Sequence, residues 1–149
     1  MAKLKVSELT PVTQVNTNDI MYIVQNNVSK QTTVATFRAN TLGSPQTAKT
    51  TSYSVVSTDQ DKHIYFTNSG DVVLNIPNNN EISWPIGTTI QVVVKSTNSA
   101  NVIVTPNTNV SLYLAGNSTP SSRKIATYGM ATLLNVSANT WFIGGTVIS

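Results

Sequence analysis

From Tyr53 to the C-terminus, apolar residues fall on every second position in short β-branched or aromatic runs, and clusters of Asn, Gly, Pro and Ser separate the runs. Side chains alternate faces along a strand, so a period of two predicts strands with one buried face. The runs place strands at 53–57, 62–67, 71–76, 89–95, 101–105, 110–114, 123–128, 130–136 and 140–147. The inward set is then Ile64 with Phe66, Val72 with Leu74 and Ile76, Ile90 with Val92 and Val94, and Trp141 with Ile143. Many short strands without a long helical period predict an antiparallel β-sandwich or barrel-like domain over 53–149. Gly87, between Pro85 and the strand near Thr89, fits a position of positive φ or close backbone approach. Gly129, between two runs, predicts a tight hairpin turn.

The first 43 residues carry a sparser pattern. Leu4, Val6, Ile20 and Ile23 mark short extended pieces, Asp19 sits where a turn hands over to a strand, and 28–34 predicts the returning arm of a hairpin. The stretch from Ala35 to Gly43 predicts one or two helical turns that stop at the glycine. Within an all-β chain this is a small N-terminal β-hairpin anchor with a short helix, and its apolar side chains are too few for an autonomous core. Residues 44–52 hold no aliphatic side chain larger than Ala48 and read as a linker or an extended crossing. The expected organisation is therefore 1–43, 44–52 and 53–149.

Composition changes the picture at a few points. Charged residues make up 10% of the chain, against roughly 25% in ordinary soluble domains. Ser, Thr and Asn number 55 of 149, so the polar surface is hydroxyl and amide. The net charge of +3 comes from nine scattered Lys and Arg, and no basic run exceeds Arg123 and Lys124. A nucleic-acid footprint needs such residues gathered on one face, so no nucleic-acid partner is expected. Cysteine is absent, which removes disulfides and thiolate metal sites. No apolar run approaches the roughly 18 residues of a membrane span, and the opening lacks the apolar core of a signal peptide. Residence in a cytoplasm, with no membrane insertion, is the expectation.

Candidate chemistry is thin. His63, the single histidine, stands near Asp59 and Asp61 as a catalytic base would, but no G-x-S-x-G elbow accompanies it and it reads as a surface group at the start of a strand. Asp59, Asp61 and Asp71 offer oxygens for calcium without the regular acidic spacing of a calcium loop, and read as turn residues bonded to local amides. The chain has six acids, two of which, Glu8 and Asp19, lie in the N-terminal segment, leaving little for a pair of glycosidase carboxylates. No catalytic residue, cofactor or metal site is expected. Trp84, Tyr113 and Tyr128 are the candidate ligand or interface aromatics. Trp84 lies in the loop before Pro85, where a tryptophan serves as a sugar platform, a lid over a barrel end or an interface side chain.

The order LNIPNN at 74–79, WPIGTTIQVV at 84–93, NVIVTP at 101–106 and ANTWFIGG at 138–145 resembles a β-domain recurrent in tailed-bacteriophage structural proteins. The opening resembles a leader of phage head-fibre, decoration and tail proteins. Its K-[IV]-S-E-L stretch is at 5–9, its Thr/Pro spacer at 10–13, its Asp before a strand ending in Ile-Val at 19–24, and its Ser, Lys and Thr strand at 29–34. Together the two resemblances cover nearly the whole chain. They imply a non-enzymatic virion structural protein assembled in the host cytoplasm: a capsid decoration (cement) or head-fibre protein, a homotrimer whose β-domain projects as a knob. The implied partner is the major capsid protein or another virion protein, contacted through Leu4, Val6, Leu9, Ile20, Ile23 and Val24. No heptad shaft separates leader and β-domain, which favours capsid decoration over a long fibre. The alternative is a tail-associated carbohydrate or receptor-binding protein whose partner is a host-surface glycan.

Overall fold

The computed structural model describes residues 16, 18–34, 36, 37 and 44–149. The chain divides into two compact units, 1–43 and 44–149. Leu4, Val6 and Leu9 of the expected anchor, and most of the expected helical stretch, lie outside the described residues.

In the first unit β1 (Ile20–Gln25) and β2 (Val28–Thr33) pair antiparallel, with Ile20 opposite Thr33 and Gln25 opposite Val28. Asn26 and Asn27 make the two-residue turn at φ of 53° and 60°. Two left-handed residues give a turn whose twist matches the strands, and asparagine tolerates that region. The Asp19 carboxylate accepts the Asn16 amide at 2.8 Å, and its carbonyl accepts the Val34 amide at 2.9 Å, which closes the open end of the hairpin. After β2 the Thr33 hydroxyl accepts the Thr36 amide at 3.1 Å, a capping bond for the helical conformation of Val34, Thr36 and Phe37.

The second unit contains β3 (Gln46–Lys49), β4 (Tyr53–Ser54), β5 (His63–Phe66), β6 (Val72–Ile76), β7 (Thr89–Val94), β8 (Val102–Pro106), β9 (Ser111–Leu114), β10 (Arg123–Ser137) and β11 (Thr140–Ile148). They form one nearly closed, barrel-like sheet in the order β3-β5-β7-β10-β8-β6-β4, with β11 beside β10 and β9 beside β11. Consecutive strands alternate between two arms: β3, β5 and β7 run parallel in one, β4, β6 and β8 in the other. The long β10 joins the arms, pairing antiparallel with β8 through residues 123–125 and with β7 through 130–134.

The chain is all-β and barrel-like, as the alternation predicts, but the sheet is mixed rather than antiparallel. Parallel neighbours need a crossover connection, and here each crossover includes a strand of the opposite arm. Alternation within one strand specifies which side chains face inward; it carries nothing about the direction of the neighbouring strand.

The core lies between the arms. Ile64, Phe66, Ile90, Val92 and Val94 come from one, Val72, Leu74, Ile76, Val102 and Val104 from the other, and Leu112, Ile125, Leu133, Trp141 and Ile143 complete it. All the residues expected to face inward are buried. Buried Asn68 is well supplied: its amide nitrogen donates to the Gly70 and Asn101 carbonyls, and its side-chain oxygen accepts the Ser96 hydroxyl.

Two expectations change. Residues 44–52 are more than a linker, because Gln46–Lys49 form β3, parallel to β5, with Gln46 opposite His63 and Lys49 opposite Phe66. An edge strand joins through its main chain, which any non-proline residue supplies, so the lack of large aliphatics does not forbid it. Residues 123–128 and 130–136 are not two arms about a hairpin but the single strand β10. Ile125 pairs with Ile148 and Met130 with Thr146, so 126–129 bulge opposite Val147 alone. Gly129 is buried in that bulge, where a Cβ would fall 2.7 Å from the Ala126 carbonyl oxygen and 2.8 Å from Ile125 Cγ2. Gly87, by contrast, is the positive-φ position expected, at +91°.

Candidate functional site

Strand pairing decides which side chains the first unit presents. The register puts Ile20, Tyr22 and Val24 on one face of the hairpin, and Met21, Ile23 and Val28 on the other. Tyr22 is 80% exposed and Val24 73%, with Ile20, Ile23 and Val28 also exposed. Among the described residues the hairpin pairs with no third strand, and two strands alone gain little stability in isolation. Beside Ile20 lies a shallow depression of about 300 Å³ lined by Gln31, Thr32, Thr33 and Thr36. Of the expected anchor residues, the three in the described hairpin are thus on its surface.

The aromatic candidates do not form one platform. Trp84 is buried, its ring edge-to-face on Trp141 with centroids 5.5 Å apart, so it is a core residue and no ligand platform. Proline restricts the loop after it, and the ring belongs to the same core cluster as Trp141 and Ile143. Tyr113 on β9 stacks on Phe142 of β11 at 5.4 Å, and Phe142 pairs with Leu134 of β10. Tyr128 is 76% exposed and stands on the bulge, six residues before Leu134 on β10.

The titratable candidates are separately engaged. Asp59 is buried and accepts the Tyr53 hydroxyl at 2.8 Å and the Val56 amide at 2.9 Å. Burial, then the Asp59 bond and its charge, push the Tyr53 hydroxyl up to about 12. Asp61 accepts the Thr89 hydroxyl at 3.1 Å. Asp71 accepts the Asn101 backbone amide at 2.8 Å and its side-chain amide at 2.9 Å, bonds that hold its carboxyl below the usual carboxylate range. His63 donates from Nδ1 to the Ser44 carbonyl at 2.8 Å and meets the Gln46 side-chain amide through Nε2 at 3.1 Å, fastening the start of β3 to β5. Among the described residues no three His, Asp or Glu gather as metal ligands.

Set against protein-family models, curated proteins and solved structures, the chain matches none. Its surfaces therefore carry the functional reading.

Two features escaped the sequence. The outward positions of β10 include Met130, Leu134 and Val136, all exposed, and with Phe142 and Tyr113 they make an apolar strip on the outside of the sheet. The signal was present as the complement of the inward set: β10 is apolar at many outward as well as inward positions. Arg123 is the other feature. It is buried, its Nη2 donates to the Thr119 carbonyl at 2.7 Å, and among the described residues no acid pairs with it and its Nε has no partner. It ties the β9–β10 loop to the start of β10, a role that a scattered arginine in sequence does not announce.

Proposed function

We propose that the protein is a non-enzymatic structural component of a tailed-bacteriophage virion, a capsid decoration (cement) or head-fibre subunit. It docks on the major capsid protein or another virion protein through its N-terminal unit and projects the β-domain as a homotrimeric knob. The observation that carries this reading is the hairpin with apolar side chains exposed on both faces. Apolar surface stabilises only when removed from water, by about 25 cal/mol per Å², and among the described residues Ile20, Tyr22, Ile23, Val24 and Val28 stand exposed. The outer edges of β1 and β2 add main-chain donors and acceptors that suit strand addition to a partner sheet. The leader-then-β-domain order supports the same reading.

The test is deletion of residues 1–43 from the protein in its virion. The truncated chain is expected to fold and to be missing from purified particles; particles decorated at full occupancy by the truncated chain overturn the assignment. Copy number, by quantitative mass spectrometry of intact particles, separates the capsid lattice from a tail or vertex site. The exposed Phe142, stacked on the half-buried Tyr113, favours the second reading, a tail-associated carbohydrate or receptor-binding protein, and a glycan-array signal lost in Phe142→Ala would select it.

A further inference from the structure

Two residues of the β-domain hold backbone conformations that their side chains disfavour, and they lie opposite each other at one bulge. Tyr128 on β10 has φ +62° and Val147 on β11 has φ +57°. For a bulky aromatic and a β-branched residue, positive φ carries a steric cost that Asn or Gly avoids. Packing within the chain offsets little of it, since Tyr128 is 76% exposed, Val147 59% and Met130, two residues further on, 54%. Strain and uncovered apolar surface coincide, and a surface that covers the bulge is the compensation missing from the single chain.

Beside this knob is a hole. A shallow depression of about 320 Å³ lies over β7, β10 and β11, lined by Gln91, Met130, Thr132, Gly144, Gly145 and Thr146. Gly144 and Gly145 add no side chain to its floor, and at Gly145 no other residue fits, because a Cβ would run into the Met130 carbonyl of the neighbouring strand. Its walls are methyl groups, backbone, hydroxyls and one amide, which suits a phenol ring with a hydroxyl to satisfy.

We infer that Tyr128 of one copy of this chain seats in the Gly144–Gly145 depression of a second copy. The inference rests on the homo-oligomeric part of the proposed function and assigns its contact. The occupant is a second copy because knob and hole both belong to this chain, side by side on adjoining stretches of β10. The outward positions between them on β10 and β11 carry no charge, so chains of net charge +3 meet there without like-charge repulsion. A knob that fills the neighbour's hole while its own hole receives a third surface is a head-to-tail contact, the kind that builds a ring when the rotation between copies closes and a filament when it does not.

The experiment uses the full chain. With p-benzoylphenylalanine at position 128, irradiation of mixed light and ¹⁵N-labelled protein is expected to give mixed-isotope cross-links to residues 130–132 or 144–146. In sedimentation, Tyr128→Asn and Thr132→Arg are each expected to weaken self-association by about tenfold or more. Both positions are exposed, and asparagine accepts the left-handed conformation, so Tyr128→Asn is expected to melt no lower than the parent. If the parent is oligomeric, both variants associate like it and the cross-links fall elsewhere, this contact is overturned and the homo-oligomer stands. If the parent is monomeric at every concentration, both are overturned. A glycan-binding signal lost in Tyr128→Asn, with association unchanged, reassigns the knob to a ligand and also overturns the contact.

Discussion

Trp84 and Trp141 meet edge to face, with ring centroids 5.5 Å apart and planes at 85°. The contact joins the loop before β7 to the start of β11, two parts of the chain far apart in sequence, within the core. Truncating a buried tryptophan to alanine costs about 3–5 kcal/mol, and Trp84→Ala is expected in that range by urea denaturation. Trp84→Phe is expected to cost much less, because the Trp84 indole N–H is buried without an acceptor and its removal deletes an unsatisfied donor. A Trp84→Ala protein as stable as the parent would show that the ring contributes nothing to the core.

The Tyr53–Asp59 pair gives a pH-dependent test. The folded Tyr53 titrates at about 12 against an ordinary 10.0, so the folded state holds this proton more tightly than the unfolded chain. The contribution is complete below pH 10 and is lost as pH rises from 10 towards 12. Tyr53→Phe removes it, and thermal melts across this window are expected to fall less steeply in the variant than in the parent. At neutral pH the variant loses one donor to a buried carboxylate, a cost of about 1–3 kcal/mol. Equal alkaline slopes in the two proteins would rule the linkage out.

How much of this was legible in sequence depends on which physical constraint a position obeys. The period of two identified Ile64, Phe66, Leu74, Ile90, Val92 and Ile143 as core because burial acts on each strand separately. Strand direction was not legible, since the parallel register of β5 on β7 is set by chain winding rather than by any local pattern. Trp84 read as a loop residue and is one, but its partner Trp141 is contributed from the other end of the domain, and only the fold brings them together. Tyr128 was singled out as an aromatic; its strained backbone and its neighbouring depression are properties of a bulge that sequence had turned into a hairpin.

The start of the β-domain yields a prediction about boundaries. β3 precedes residue 53 and covers the edge of β5, with Thr47 opposite Ile64 and Lys49 opposite Phe66. Lys49 also sets its ammonium 3.6 Å from the centre of the Tyr53 ring. A chain beginning at residue 44 is expected to melt with the β-domain of the full protein. One beginning at residue 53 loses β3, the His63 bonds to Ser44 and Gln46, and the cation–π contact, and exposes an edge of β5. It is expected to melt lower and to aggregate on concentration, read by calorimetry and light scattering. Identical melting of the two truncations would return 44–52 to the role of linker.

Gly129 separates the bulge from the hairpin most directly. In a two-residue hairpin turn, glycine is selected for positive φ and alanine there strains the backbone while leaving the space around it open. In the bulge the constraint is space: a Cβ would lie 2.7 Å from the Ala126 carbonyl oxygen, 2.8 Å from Ile125 Cγ2 and 3.1 Å from the Thr146 carbonyl oxygen. The first and third contacts are backbone and cannot rotate away. Overpacking of this kind costs about 1–3 kcal/mol and forces backbone shifts, so Gly129→Ala is expected to destabilise the domain by that amount or more. The shift would act on both sides of the bulge, on the Ile125–Ile148 pair and on the Met130–Thr146 pair. Amide hydrogen exchange is therefore expected to quicken at 125, 130 and 148 while β5 and β6, in the separate arms, keep their protection. Faster exchange confined to 128–130, with no loss of stability, would mean that Gly129 sits at an open turn after all.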